Sequence, residues 1–240
     1  MSMDGTASAA SGIFVTGTDT GVGKTFVAVA LLRALAARGV RAAGMKPVAA
    51  GQSPGTTCNA DVEALAQADG LTLPLRDRNP YAFLPPIAPH LAAVESGSRI
   101  DLEVIAAAWN RLRARADVIV VEGAGGVMVP LDDRHDILDI AVRLELPVLL
   151  VVGLRLGCIN HALLSAQAVR ARGLRLAGWV GNAIDPAMLR MDANIDSIAA
   201  RIGMPPAAIL PVHPSAAAAT ATLDKVAVTL LSTLRADPLG

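Results

Sequence analysis

The sequence predicts an α/β protein built on one doubly wound, mostly parallel sheet, and two observations carry that expectation. Short β-branched runs alternate with longer segments of helical period, the pattern of repeated βαβ units. Each strand candidate is apolar at successive positions, as a strand covered on both faces by helices must be. At 240 residues the chain lies at the upper edge of what one core organises. No stretch reads as an interdomain linker, so a single domain over 12–240 is expected, with two small domains as the alternative. Residues 1–11 are small and polar and read as a disordered tail.

In chain order, residues 13–16 form the first strand candidate and 24–38 the helix after it. A second strand is expected to end within 45–49, followed by a helix over 61–68. Segment 71–89 holds five prolines and little periodicity, which predicts an ordered loop lying over the domain, outside the sheet. Such loops often carry substrate contacts. In 102–116, Leu102, Ile105, Ala106, Trp109 and Leu112 recur at helical spacing and form one apolar stripe, while Arg111, Arg113 and Arg115 face elsewhere. Strands over 118–121, 148–152, 176–180 and 208–210 then alternate with helices over 137–144, 159–172, 188–202 and 223–234. The alanine tract 216–219 reads as a helix start or a composition bias.

Composition narrows the function classes. Hydrophobic residues make up 53% and charged residues 18%, enough apolar surface to offset the chain entropy lost on folding, so a globular protein is expected. Lysine plus arginine equals aspartate plus glutamate at 21 each, so no overall field attracts nucleic acid. The apolar run 147–154 is far shorter than the roughly 20 residues a bilayer span needs. The opening residues lack the basic start and apolar stretch of a secretory signal, which points to a cytoplasmic protein. Cys58 and Cys158 stand apart and read as two reduced thiols. The four histidines show no metal-ligand spacing, and no G-x-S-x-G elbow supports a serine hydrolase.

The strongest chemical signal is Gly17-Thr18-Asp19-Thr20-Gly21-Val22-Gly23-Lys24-Thr25, between a predicted strand and a predicted helix. The residues between Gly17 and Gly23 depart from the strict G-x-x-x-x-G-K-[ST] pattern, but Gly23-Lys24-Thr25 is intact. Glycines let backbone amides turn onto a phosphate, Lys24 reaches the outer phosphates and the Thr25 hydroxyl can ligate magnesium. The fold expectation is therefore of the phosphate-loop NTPase type. Lys46 stands at the carboxyl end of the second strand, and Pro47 holds it out of a helix. A lysine there can neutralise charge on a transferring phosphoryl group or hold a carboxylated substrate. Glu122 ends a strand and is followed by the glycine-rich Gly123-Ala124-Gly125-Gly126, an acid at a strand tip suited to magnesium. Asp61 divides equally between a second magnesium ligand and an ordinary helix-start acid.

Several of these segments together resemble one family, the dethiobiotin synthetases: GTDTGVGKT at 17–25, KPVAAG at 46–51, APH at 88–90, VEGAGG at 121–126, LGCINHALL at 156–164 and GWVGN at 178–182. The resemblance implies an enzyme that joins carbon dioxide, or bicarbonate, to 7,8-diaminopelargonic acid. It then closes the ureido ring of dethiobiotin, converting ATP to ADP and phosphate with Mg²⁺, at the penultimate step of biotin synthesis. It implies Lys46 at the carbamate, and Lys24 with the amides of Gly21, Val22, Gly23, Thr25 and Phe26 on the phosphates. Thr25, Asp61 and Glu122 would surround magnesium, and Gly123, Ala124 and Gly125 would approach phosphate. Substrate would meet Thr20, Gly125 and the Ala50 position. Asn182 and Ala183, with Pro214, Ser215 and Ala216, would border the adenine. Asn160 would reach the diamine carboxylate across the interface of a homodimer.

Two departures stand out. Ala50 takes a place where some family members carry a hydroxyl, and Leu210-Pro211-Val212-His213-Pro214 differs from the family's Gly-Glu-x-Pro. The alternative of the same fold, a partitioning- or metallocluster-type ATPase switch, carries a second lysine in the loop where this chain has Asp19. The corrinoid amidotransferase ligases need a further glutaminase domain for which this length leaves no room, and a silent nucleotide-binding module would be expected to lose the lysine or the acids.

Overall fold

Six strands pair in parallel to form the central sheet, and their order decides where a ligand can sit. The computed structural model describes residues 11–53 and 55–236, so most of the expected tail lies outside the described residues. The elements in chain order are β1 (Ser11–Gly17), α1 (Lys24–Ala37), β2 (Ala42–Met45), β3 (Val48–Ala50), α2 (Ala60–Asp69), α3 (Leu75–Arg78), β4 (Tyr81–Phe83), α4 (Pro89–Glu95), α5 (Leu102–Arg113), β5 (Val118–Gly126), α6 (Ile137–Arg143), β6 (Val148–Leu154), α7 (Cys158–Ala171), β7 (Leu176–Ala183), α8 (Met191–Ile202), β8 (Ala208–Leu210) and α9 (Ala216–Ala236). Ser11, read as the end of the tail, instead begins β1 and pairs with Val118.

The strand order is β2-β5-β1-β6-β7-β8. From β1 the chain builds β2 and β5 on one side, then crosses to build β6, β7 and β8 on the other. Ligands of open α/β sheets bind outside the carboxyl ends of the strands where the winding reverses, and the loop after β1 occupies that point. Side chains alternate between the two sheet faces: Ile13 and Val15 pack with Leu31, Leu35 and Leu223, whereas Phe14 packs with Trp109, Leu112 and Trp179. Each fully buried side chain of this size contributes about 1.5–3 kcal/mol, and both faces are covered, which is why the strands read as unbroken apolar runs. No helix among the described residues is long and apolar enough to cross a membrane. Both cysteines are free.

Four further expectations need correction. The strand expected to end within 45–49 is two strands, because Pro47 has no N–H with which to continue a ladder. β2 stops at Met45, and β3 leaves to pair with β4 in a separate two-stranded parallel sheet. Segment 71–89 stays out of the central sheet as expected, yet it contains α3 and β4 and ends on the first residue of α4. Its prolines punctuate these elements: Pro74 is the N-cap of α3 and Pro89 opens α4, both places that tolerate a missing N–H. The last helix begins at Ala216, with the alanine tract as its first turn, and the helix expected from 188 begins at Met191.

A buried ion pair braces the end of β2. Arg78 donates to both carboxylate oxygens of Asp69 and to the carbonyls of Gly44 (3.0 Å) and Leu71 (2.7 Å). Asp69 in turn accepts from the amides of Gly44 (2.8 Å) and Leu71 (2.9 Å). The two side chains are 3% and 0% exposed. Arg78→Ala leaves the Asp69 carboxylate buried without its cation and is expected to cost about 3–5 kcal/mol. Urea unfolding at neutral pH measures this, and a loss under about 1 kcal/mol would contradict the bracing role.

Candidate active site at the phosphate loop

The loop between β1 and α1 is shaped by close backbone approach. Gly23, the N-cap of α1, has φ 93°, and a Cβ there would fall 2.2 Å from Asn182 Nδ2. Asn182, on β7, donates to the Val22 carbonyl at 2.9 Å and pins the loop against the neighbouring strand. No side chain caps α1, so its first amides stay available to an anion. Lys24 is buried and donates to the Asp19 carbonyl at 2.9 Å. The Asp19 carboxylate accepts from Arg155 at 2.6 Å and from the Thr20 amide at 2.7 Å.

Beside this loop lies a cluster drawn from the residue after β2, the middle of β5 and the first turns of α1 and α2; β5, expected to end at Glu122, runs on through the glycines to Gly126. Lys46 follows β2, and its ammonium donates to Glu122 Oε1 at 2.7 Å and to Asp61 Oδ2. The Thr25 hydroxyl donates to the same Glu122 oxygen at 2.7 Å. Lys46 is 5% exposed and Glu122 0%, while the Asp61 side chain is 42% exposed and opens to the cleft. Asn59, not Asp61, caps α2: its side chain accepts from the Asp61 amide at 2.9 Å, and the Asp61 carboxylate, in the first turn, turns to Lys46.

The two lysines experience opposite balances. Burial lowers the Lys24 pKa to about 8, with Glu122 opposing that shift and the Lys46 charge adding to it. Burial also pushes the Lys46 pKa down, but attraction and hydrogen bonds from Glu122 and Asp61 outweigh it and hold the ammonium above the usual lysine range. Burial pushes the Asp61 carboxyl up, and the adjacent Lys46 charge overrides it, keeping Asp61 below the usual carboxylate range.

The residues present fit a magnesium ion. Glu122 Oε2 is buried without a hydrogen-bond partner among the described residues, an uncompensated oxygen of the kind a hard cation takes up. No group of three or more His, Cys, Asp or Glu side chains gathers among the described residues. Two carboxylates and a hydroxyl suit a cation that keeps water and draws further oxygens from phosphate.

A cleft of about 700 Å³ runs from Thr20, Gly21, Gly23, Thr25 and Phe26 past Lys46 and Asp61 to Ala50, Ala124 and Gly125. A second, of about 430 Å³, is lined by Phe26, Asn182, Ala183, Ile184, His213 and Pro214. Of the remaining expected residues, Val22 and Gly123 are buried behind the site. The Ser215 hydroxyl accepts from the Ala218 amide at the start of α9, and Ala216 lines a separate groove against α1. Asn160 is exposed on α7 and lines neither cleft. Sequence reasoning missed Pro86, Ile87 and Val129 in the cleft wall, Ile184 in the second cleft, and the Asn59 cap. The proline-rich segment had signalled substrate contact only as a whole.

Residues 11–220 match the AAA domain family. The chain is 53% identical over 200 residues to the ATP-dependent dethiobiotin synthetase BioD of Aromatoleum aromaticum, covering 82% of this chain and 89% of that protein. It is 54% identical over 200 residues to the protein of the same name from Nitrosospira multiformis, covering 83% and 88%. Among solved structures, the MinD cell division protein of Aquifex aeolicus is similar at 18% identity with a TM-score of 0.61, covering 93% of this chain and 98% of that one. A ParA family ATPase from Chlorobium tepidum TLS is similar at 14% identity with a TM-score of 0.52, covering 95% and 99%. At those identities the likeness speaks for the fold alone.

The lowered Lys24 value sets a pH dependence. Its pKa lies near 8 in the folded protein against 10.5 for the free side chain, so folding disfavours the charged form. This lysine therefore detracts from stability below pH 8, and the penalty is relieved as pH rises towards 10.5. A triphosphate favours the ammonium, so nucleotide binding at about pH 8 should take up protons and weaken as pH rises further. Calorimetric titration with ATP in buffers of different ionisation enthalpy measures the uptake. Lys24→Ala should abolish it, and equal uptake by the variant would assign the proton elsewhere.

Proposed function

The chain belongs to the ATP-dependent dethiobiotin synthetase family, and from that premise we propose how its residues carry out ring closure. The protein is an ATP-dependent ligase of biotin biosynthesis that forms dethiobiotin from 7,8-diaminopelargonic acid. In the proposed path carbon dioxide joins one amine, which loses a proton to become a carbamate. The carbamate oxygen attacks the γ-phosphorus, and ADP leaves. The neighbouring amine then attacks the activated carbon, loses its proton and expels phosphate, closing the ureido ring. A carbamate is a poor electrophile, and phosphorylation converts its oxygen into a leaving group. The protein's share is positioning and charge neutralisation.

The observation that carries this reading is the Lys46 ammonium, fixed between two carboxylates in the cleft that holds the phosphate loop. Lys46 neutralises the carbamate oxygen and the transferring phosphoryl group. Lys24 and the amides of residues 21–26 hold the outer phosphates. Mg²⁺ would be held by Thr25, Asp61 and Glu122 and would supply further neutralisation of phosphate charge. Thr20 and Gly125 face the diamine, and an apolar wall of Ala50, Pro86, Ile87 and Val129 excludes water around its methylenes. Asn182, Ala183 and Pro214 border the base.

Homodimerisation through α7 and residence in the cytoplasm complete the proposal. Asn160 and Leu164 lie four residues apart on one face of α7, Leu156 stands just before its N-cap Gly157, and the two leucines are 90% and 58% exposed. Exposed apolar side chains at this end of α7 suit a second copy that would bring Asn160 to the diamine carboxylate.

The test is ADP release by purified protein, expected only when diamine, bicarbonate and Mg²⁺ are present together. Release without diamine would favour the nucleotide-switch reading. Lys46→Ala should lower kcat by about 10²-fold or more while the Kd for ATP stays within about twofold. Wild-type turnover in a variant shown by circular dichroism to be folded would remove Lys46 from the mechanism.

A further inference from the structure

Lys46 sits at a corner where neither strand can satisfy its backbone. β2 ends one residue before it, Pro47 follows, and β3 departs towards β4. Its amide donates to the Arg78 carbonyl at 2.8 Å, and its carbonyl accepts from Asn79 Nδ2 at 2.7 Å. The same nitrogen of Asn79 donates to the Tyr81 carbonyl at 2.9 Å, at the start of β4, where Tyr81 pairs with Val48. One buried amide group, on a residue 6% exposed and not among those lining the cleft, thus ties the Lys46 backbone to the small sheet beyond Pro47.

We propose that Asn79 is a positioning residue for the ring-closing reaction, setting the backbone direction from which the Lys46 stem reaches Glu122 and Asp61. The proposal rests on the role given to Lys46 above. The lysine stem is four flexible carbons, so where its ammonium rests depends on the angle at which the backbone launches it. Without the Asn79 donor the Lys46 carbonyl is left buried and unpaired, and the corner must shift to satisfy it. A misplacement on the order of 1 Å at a reacting centre costs about 10²-fold in rate. The phosphate loop shares no hydrogen bond with Asn79, so nucleotide affinity is expected to survive.

Asn79→Asp keeps the shape and removes both donors, placing an acceptor against the carbonyl. The expected result is a fall in kcat of about 10- to 100-fold with the Kd for ATP within about twofold of wild type. Val226→Ala, a cavity variant in α9 remote from the corner, serves as a control for lost stability, with each kcat read at the same interval below the protein's own melting midpoint. Wild-type kcat in Val226→Ala together with a lowered kcat in Asn79→Asp supports positioning. Wild-type kcat in Asn79→Asp beside an inactive Lys46→Ala would overturn this proposal and leave the role of Lys46 intact. Full activity in Lys46→Ala would instead overturn the reading beneath it. Should Asn79→Asp not fold, Asn79→Ser, which retains one short donor, carries the same two outcomes.

Discussion

A buried ammonium held by a buried carboxylate is an expensive arrangement, and the architecture converges on the one between Lys46 and Glu122. Each ion loses several kcal/mol of hydration on leaving water, and only close geometry with additional partners compensates for it. Here those partners are Asp61 and Thr25. The four residues span nearly a hundred positions in sequence, yet β2, β5 and β1 are consecutive in the sheet. Their carboxyl-terminal halves therefore present Lys46, Glu122 and the phosphate loop side by side. The parallel strand order solves the assembly problem, and α2 has only to lay Asp61 alongside.

The same electrostatic neighbourhood treats its two lysines differently. Lys24 is buried with backbone carbonyl contact and only distant acids, so desolvation prevails. Lys46 is buried against two carboxylates in direct contact, so attraction prevails. One cation is disfavoured by its burial, and the other is held charged by the carboxylates it touches. That division suits the proposed roles, in which one lysine grips a polyanion and the other stands beside the reacting atoms.

Legibility in the sequence followed the range of the interactions. The phosphate loop could be read because its determinants are local: a strand, glycines for the turn and a helix start. Lys46 could be read as a strand-tip residue because sheet direction alone places strand ends at the ligand edge, whereas Glu122, read the same way, lies inside β5, which the following glycines extend to Gly126. Asp61 could not be settled, since helix caps compete locally, and only the conformation of Asn59 shows which side chain takes the amide. The small β3–β4 sheet was invisible because its strands have three residues each and its flanking prolines look like breaks. The clamp on the Lys46 backbone was hidden for a related reason: an asparagine before a proline reads as a turn, and its partner lies more than thirty positions away.

The two-stranded sheet has a further consequence for how such an enzyme can diversify. β3 and β4 pair only with each other, and α4 packs on them, so this flap carries one wall of the cleft as a subassembly beside the nucleotide platform. Its two strands pair with each other, while Val48, Phe83, Ala92 and Ala93 seat it on the apolar core shared with β1, β5 and α5, and the chain crosses to the platform around Pro47, after β3, before β4 and after α4. Lineages could therefore exchange the flap to admit chains of other lengths or polarity while inheriting the phosphate-handling half unchanged. An engineer seeking to retarget the ligase would begin by grafting there and would keep the apolar residues that seat the flap on the shared core.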